Sequence, residues 1–166
     1  MLNDAVGAVF PGAKLTGVEF GGLDVPKSTS RISYRVSVPS YLSEAGQFKL
    51  LKLHWSDRIS SRPAPAQEKR KFAYYYWPYA DRTEERIEIK LPAGYEPLEL
   101  TKDVKLSSAI ADYSLHFTYA NGVITGQREI INKKAIVSPQ EYAEFKQFYN
   151  RVAKEDDRSI LLKSSQ

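Results

Sequence analysis

Tyr113-Ser-Leu-His-Phe-Thr-Tyr-Ala-Asn-Gly-Val-Ile-Thr-Gly-Gln-Arg-Glu-Ile-Ile131 reads as two strands joined by a tight turn. Up to Tyr119 apolar and polar residues alternate, which is the period of a half-buried strand. Asn121-Gly122 then supplies two residues that tolerate positive φ, as a type I′ turn requires, and a second β-like run follows. In that register Tyr119 faces Ile124, Phe117 faces Gly126, Leu115 faces Arg128 and Tyr113 faces Ile130. The apolar face therefore carries one arginine. Either an inward carboxylate or carbonyl holds Arg128, or it escapes to water through a bulge near Gly126 or by snorkelling. The second is favoured, because long cationic side chains commonly reach solvent.

Downstream, the spacing predicts an amphipathic helix over about 138–154. Ser138 is its N-cap, Pro139 fills the first helical position, and Glu141 completes a capping box. Val137 and Tyr142 fit a hydrophobic staple, and Tyr142, Phe145, Phe148, Tyr149 and Val152 form one apolar stripe. Such a stripe covers a sheet far more often than it binds a partner. Glu155-Asp156-Asp157 reads as a solvated helix end, since the spaced ligands and loop glycine of a calcium loop are missing. Ser159-Ile-Leu-Leu162 reads as a last strand.

Upstream, alternation predicts strands at 32–38, 48–55 and 86–91, the last stopped by Pro92-Ala-Gly-Tyr95. Lys71–Trp77 reads as an aromatic strand, and shorter strands are expected at 98–100 and 104–107. Leu51, Leu53 and Trp55 share one face. Residues 56–68 are polar with two prolines, a long loop and the best candidate for a subdomain boundary. The expected fold is a mainly β, antiparallel β-sandwich with one substantial helix packed on the sheets, in a single domain over 1–166.

Composition narrows the function classes. A chain of 166 residues buries roughly 70% of its unfolded surface, so it has a real core. It contains no cysteine, which removes thiol nucleophiles, cysteine-bound zinc and disulfides. The net charge of +4 comes from interspersed signs, and the tightest basic cluster is Lys69-Arg70-Lys71. Nucleic-acid binding, which concentrates cations on one face, is not expected. No apolar run is long enough for a membrane helix, and the first residues lack a signal-peptide pattern.

Few residues suggest chemistry. His54-Trp55-Ser56-Asp57 has the residue types of a hydrolase triad, but sequence neighbours on a strand point to opposite faces. His116 lies mid-strand, away from the apolar set. No metal or cofactor site is read. The most interesting segment is Phe72-Ala-Tyr-Tyr-Tyr-Trp-Pro-Tyr79. As a strand it puts Phe72, Tyr74 and Tyr76 on one face and Tyr75, Trp77 and Tyr79 on the other. One aromatic face suffices for a core; the second, Tyr75, Trp77 and Tyr79, is a candidate stacking platform for sugars or peptides.

An ordered series runs through Ile87-Glu-Ile-Lys-Leu-Pro-Ala-Gly-Tyr95, Tyr113 with Phe117, Arg128, Glu141-Tyr-Ala-Glu-Phe-Lys-Gln-Phe148 and Asp157-Arg-Ser-Ile-Leu-Leu162. Over residues 70–163 it resembles the C-terminal β-rich domain of bacterial transglutaminase-like proteins. The resemblance implies a non-catalytic accessory domain beside a papain-fold core in a longer parent chain, located in the periplasm or outside the cell. The Cys-His-Asp triad of that core has no counterpart here. The expected function is therefore scaffolding or positioning of an enzyme core by contact with neighbouring domains, without enzyme activity of its own. The alternatives are a carbohydrate- or peptide-binding module on the aromatic strand, and an unrecognised hydrolase using His54 or His116.

Overall fold

The computed structural model describes residues 2–24, 28–56, 68–75 and 81–165. The chain divides into two compact units, residues 1–43 and 44–166. This division precedes the polar 56–68 loop singled out above, most of which lies outside the described residues.

The N-terminal unit holds helix α1 (Leu2–Val9) and an antiparallel pair, β1 (Lys14–Gly21) and β2 (Arg31–Ser37). The sequence reading assigns no helix here; α1 is two turns long, too short for a strong periodic signal. The β1–β2 register shifts between Thr16 and Glu19, where Gly17 takes a positive φ of 58°. Phe10 meets Tyr41 edge-on, with ring centroids 5.6 Å apart.

The strands of the second unit are β3 (Ser43–Ala45), β4 (Phe48–Lys52), β5 (Tyr74–Tyr75), β6 (Asp81–Lys90), β7 (Tyr95–Pro97), β8 (Val104–Ser107), β9 (Ala111–Ala120), β10 (Val123–Asn132), β11 (Ile136–Val137) and β12 (Ser159–Ser164), with helix α2 (Tyr142–Asp156) before the last. Among the described residues of this unit, β4 to β12 pair antiparallel. One four-stranded sheet has the order β6-β10-β9-β8 and another β3-β4-β12-β7; β11 and β5 form a short pair. The shorter strand expected at 98–100 is replaced by β7, whose Tyr95–Pro97 pairs with β12. The Pro92–Gly94 turn ahead of it uses the positive φ of Gly94, 83°.

The β9–β10 hairpin has the expected register. Tyr119 faces Ile124, Phe117 faces Gly126, Leu115 faces Arg128 and Tyr113 faces Ile130. Asn121 and Gly122 have φ of 52° and 75°, the left-handed pair of a type I′ turn. The favoured bulge near Gly126 does not form: pairing with β9 and with β6 is continuous. Gly126 serves packing instead. A Cβ there would stand 2.7 Å from the Phe117 ring and 3.1 Å from Ile87.

The α2 stripe is buried as its spacing requires, through Tyr142, Phe145, Phe148, Tyr149 and Val152. The helix starts later than 138. Ser138 and Glu141 do exchange capping-box bonds: the Ser138 N–H and hydroxyl donate to Glu141 Oε2 at 3.1 and 2.7 Å, and the Glu141 N–H reaches Ser138 Oγ at 3.3 Å. These bonds close a separate turn. The first α-helical bond runs from the Phe145 N–H to the Glu141 carbonyl. Lys134 pairs with Glu141, and with the Ser138 bonds it holds that carboxyl down at about 2.

Candidate functional site

Among the described residues of the second unit, polar or aromatic chemistry concentrates in a buried charge cluster and an exposed aromatic surface. The cluster grows from Arg128. Strand alternation points its side chain inward, and the regular pairing gives it no exit, so it is only 2% exposed. Neither of the favoured routes to water is taken. Asp156, at 0% exposure, meets it from the last turn of α2. The bond is bidentate, with Arg128 Nε 2.8 Å from Asp156 Oδ1 and Nη2 2.9 Å from Oδ2. The Tyr113 hydroxyl also donates to Oδ1, at 2.9 Å. The guanidinium lies 5.9 Å from both the Trp55 and Tyr113 ring centroids, within cation–π range.

Asp156 thus leaves the solvated acidic helix end read from Glu155-Asp156-Asp157. Its address was available in the spacing: Tyr142, Phe145, Tyr149, Val152 and Asp156 share one side of a helix. A buried charge is tolerated only with such a partner. Burial opposes the Arg128 charge, but the Asp156 hydrogen bonds and charge more than offset it, so its pKa rises. Burial and the Asp156 charge hold the Tyr113 phenol above its ordinary range. At the rim, the half-buried Glu85 accepts the Ser56 N–H at 2.8 Å and the Ser56 hydroxyl at 3.0 Å. Burial raises the Glu85 pKa, and the Ser56 bonds oppose that rise. The charged groups and hydroxyls here are each spent on another, so the cluster joins α2, the hairpin and the segment that follows β4.

The triad residue types around His54 do not assemble among the described residues. Ser56 donates its hydroxyl to Glu85, and Asp57 lies outside those residues. His116 sits on the outer face of the hairpin with Nδ1 2.6 Å from Asp103 Oδ1. Both are exposed, on a face open to water, whereas charge stabilisation in catalysis relies on water exclusion.

The aromatic surface is built on β5 and β11. Tyr74 pairs with Val137 and Tyr75 with Ile136. Alternation then separates them. Val137 is buried, and Tyr74 packs edge-on against Tyr142 and Phe145 of α2, with centroids 5.9 and 5.4 Å away. Tyr75 and Ile136 point outward, 74% and 46% exposed. Phe72 does not share the Tyr74 face, because the strand begins only at Tyr74; it is 82% exposed. Arg70 stacks over Tyr74 at 4.6 Å and Tyr142 at 5.5 Å. Of the proposed platform, Tyr75 is outward, while Trp77 and Tyr79 lie outside the described residues. Ile136 is a neighbour of Tyr75 that strand alternation alone did not single out.

Residues 47–162 match the model of the family described as a domain of unknown function, DUF3858. The chain belongs to that family. Its fold is similar to that of a crystal structure described as "a putative protease" from Parabacteroides distasonis ATCC 8503, with a TM-score of 0.56 and 17% identity over 71% of this chain. The DUF3858 chain covers 24% of that protein's length. No curated protein matches it.

Proposed function

We propose that this DUF3858 chain is a non-catalytic accessory domain that positions a transglutaminase-like core by contact, within a longer periplasmic or extracellular parent protein. The observation that carries the reading is the exposure of the paired Tyr75 and Ile136, with Phe72 also exposed three residues before Tyr75. Large apolar side chains left in water beside one another are the kind of feature that marks an interaction site. The chain's lack of cysteine and its likeness to about a quarter of a longer protein support the same reading. The buried Arg128–Asp156 pair is a structural tie in this scheme, because it has no access to a substrate.

The test is amide hydrogen exchange on residues 70–75 and 134–137, in the isolated chain and in the whole product of its gene. Slower exchange in the whole product is the expected result. Equal exchange, or a gene product with no further domain, overturns the reading. A second reading, a carbohydrate- or peptide-binding module, draws on the exposure of the Tyr75 ring, since such rings offer rigid stacking area.

A further inference from the structure

Strand β6 lies at the edge of its sheet: in the order β6-β10-β9-β8 it pairs with β10 alone. It is ten residues long, contains no proline and pairs without a bulge. The edge strands β8, β3 and β7 have four, three and three residues. Among the described residues, no main-chain hydrogen bond reaches the far side of β6. Open edges are ordinarily guarded by shortness, bulges, proline or lysines, because their free N–H and C=O groups accept another strand. Among the described residues β6 is guarded by charge alone, and that charge alternates in sign. Arg82, Glu84, Arg86, Glu88 and Lys90 occupy its exposed face, while Thr83, Glu85, Ile87 and Ile89 are half-buried on the other.

Such a row is complementary to itself. When two copies of β6 lie antiparallel about a two-fold axis normal to the sheet, facing residues share a face. An axis at Arg86 sets Glu84 against the partner's Glu88 and Arg82 against the partner's Lys90, both like charges. An axis at an inward residue sets opposite charges together. At Glu85, however, two carboxylates meet on the inner face, and axes at Thr83 or Ile89 leave few residues paired. At Ile87 no like charges meet: Arg86 faces the partner's Glu88, Glu84 faces the partner's Lys90, and Ile87 faces the partner's Ile87.

We infer that this edge pairs with the same edge of a second copy of the chain, antiparallel over residues 84–90 about Ile87. Main-chain hydrogen bonds supply the affinity and the side chains the register. Exposed ion pairs contribute little singly, and Arg86 already meets Glu88 of its own strand at 2.6 Å. The charge row therefore acts chiefly by excluding wrong registers. The inference does not rest on the accessory-domain reading, which a monomer leaves untouched.

Sedimentation equilibrium of the whole chain tests it. A reversible dimer should be populated by roughly millimolar concentration, as befits a short strand pairing. Arg86→Glu with Lys90→Glu makes the row acidic, and Glu84→Lys with Glu88→Lys makes it basic. Each double variant alone should dimerise at least about tenfold more weakly. Their equimolar mixture should dimerise, because every facing pair is then of opposite charge. Circular dichroism checks the fold of both. Amide exchange along β6 of the unaltered chain needs no variant, and should be slower in concentrated than in dilute protein. A monomeric unaltered chain, concentration-independent exchange along β6, undiminished dimers of either folded variant, or a mixture of folded variants that stays monomeric overturns the inference.

Discussion

The interior around Arg128 and the surface around Tyr75 invert the ordinary placement of side chains. One puts a charged pair inside; the other leaves a phenylalanine and a tyrosine outside. The interior pair is closed, because every strong donor or acceptor in it has a partner a hydrogen bond away. The surface is open, because its rings meet water. Stability is therefore expected to depend on the first and recognition on the second. Tyr74 and Tyr75 show how narrow the boundary is: adjacent residues on one strand, one packed on α2 and the other in solvent.

The sharpest way to break the comparison is Asp156→Ala. It strands a buried guanidinium and should cost about 3–5 kcal/mol in urea unfolding. The double substitution Arg128→Met with Asp156→Leu should recover most of that loss, since an apolar pair needs no charge partner. A loss under about 1 kcal/mol for the single variant would mean the pair is not closed. Gly126→Ala comes next. The methyl would press on the Phe117 ring and Ile87, an overpacking cost of about 1–3 kcal/mol in the same assay.

Two carboxyls should move stability with pH in opposite directions. Glu141 has a folded pKa lowered to about 2 from an ordinary 4.5. Its contribution is present above 4.5 and lost as pH falls toward 2, so Glu141→Gln should flatten that acid limb of the unfolding profile. Glu85 is raised above 4.5, so between that value and its folded pKa the native state holds more protons. Its contribution therefore declines as pH rises through that window, and Glu85→Gln should remove the decline.

The smallest effect sharpens the surface side of the comparison. Phe72→Ser and Tyr75→Ser should each change stability by no more than about 0.5 kcal/mol while altering exchange protection in the whole gene product. A larger loss of stability would place these rings in the fold's own core.

Much of the second unit was legible because its signals are local. Alternation, the Asn-Gly turn and the helical stripe each concern residues a few positions apart, so the hairpin register followed directly. The Ser138–Glu141 box was legible as well, although its bonds close a turn ahead of the helix. What escaped was non-local. Nothing near Arg128 in sequence announces a carboxylate 28 positions away. Gly126 looked like a bulge because a strand glycine fits either a break in pairing or a close approach; only the position of Phe117 distinguishes them.

A β-rich chain with one substantial helix, the pairing of its central hairpin and one arginine on an apolar face follow from local pattern, because periodicity and turn chemistry are properties of short stretches. The fate of that arginine and of the aromatic strand is set by long-range packing. Burial and partnership depend on which distant elements arrive at the same place. Asp156 arrives at Arg128, α2 covers Tyr74, and Tyr75 and Phe72 remain in water.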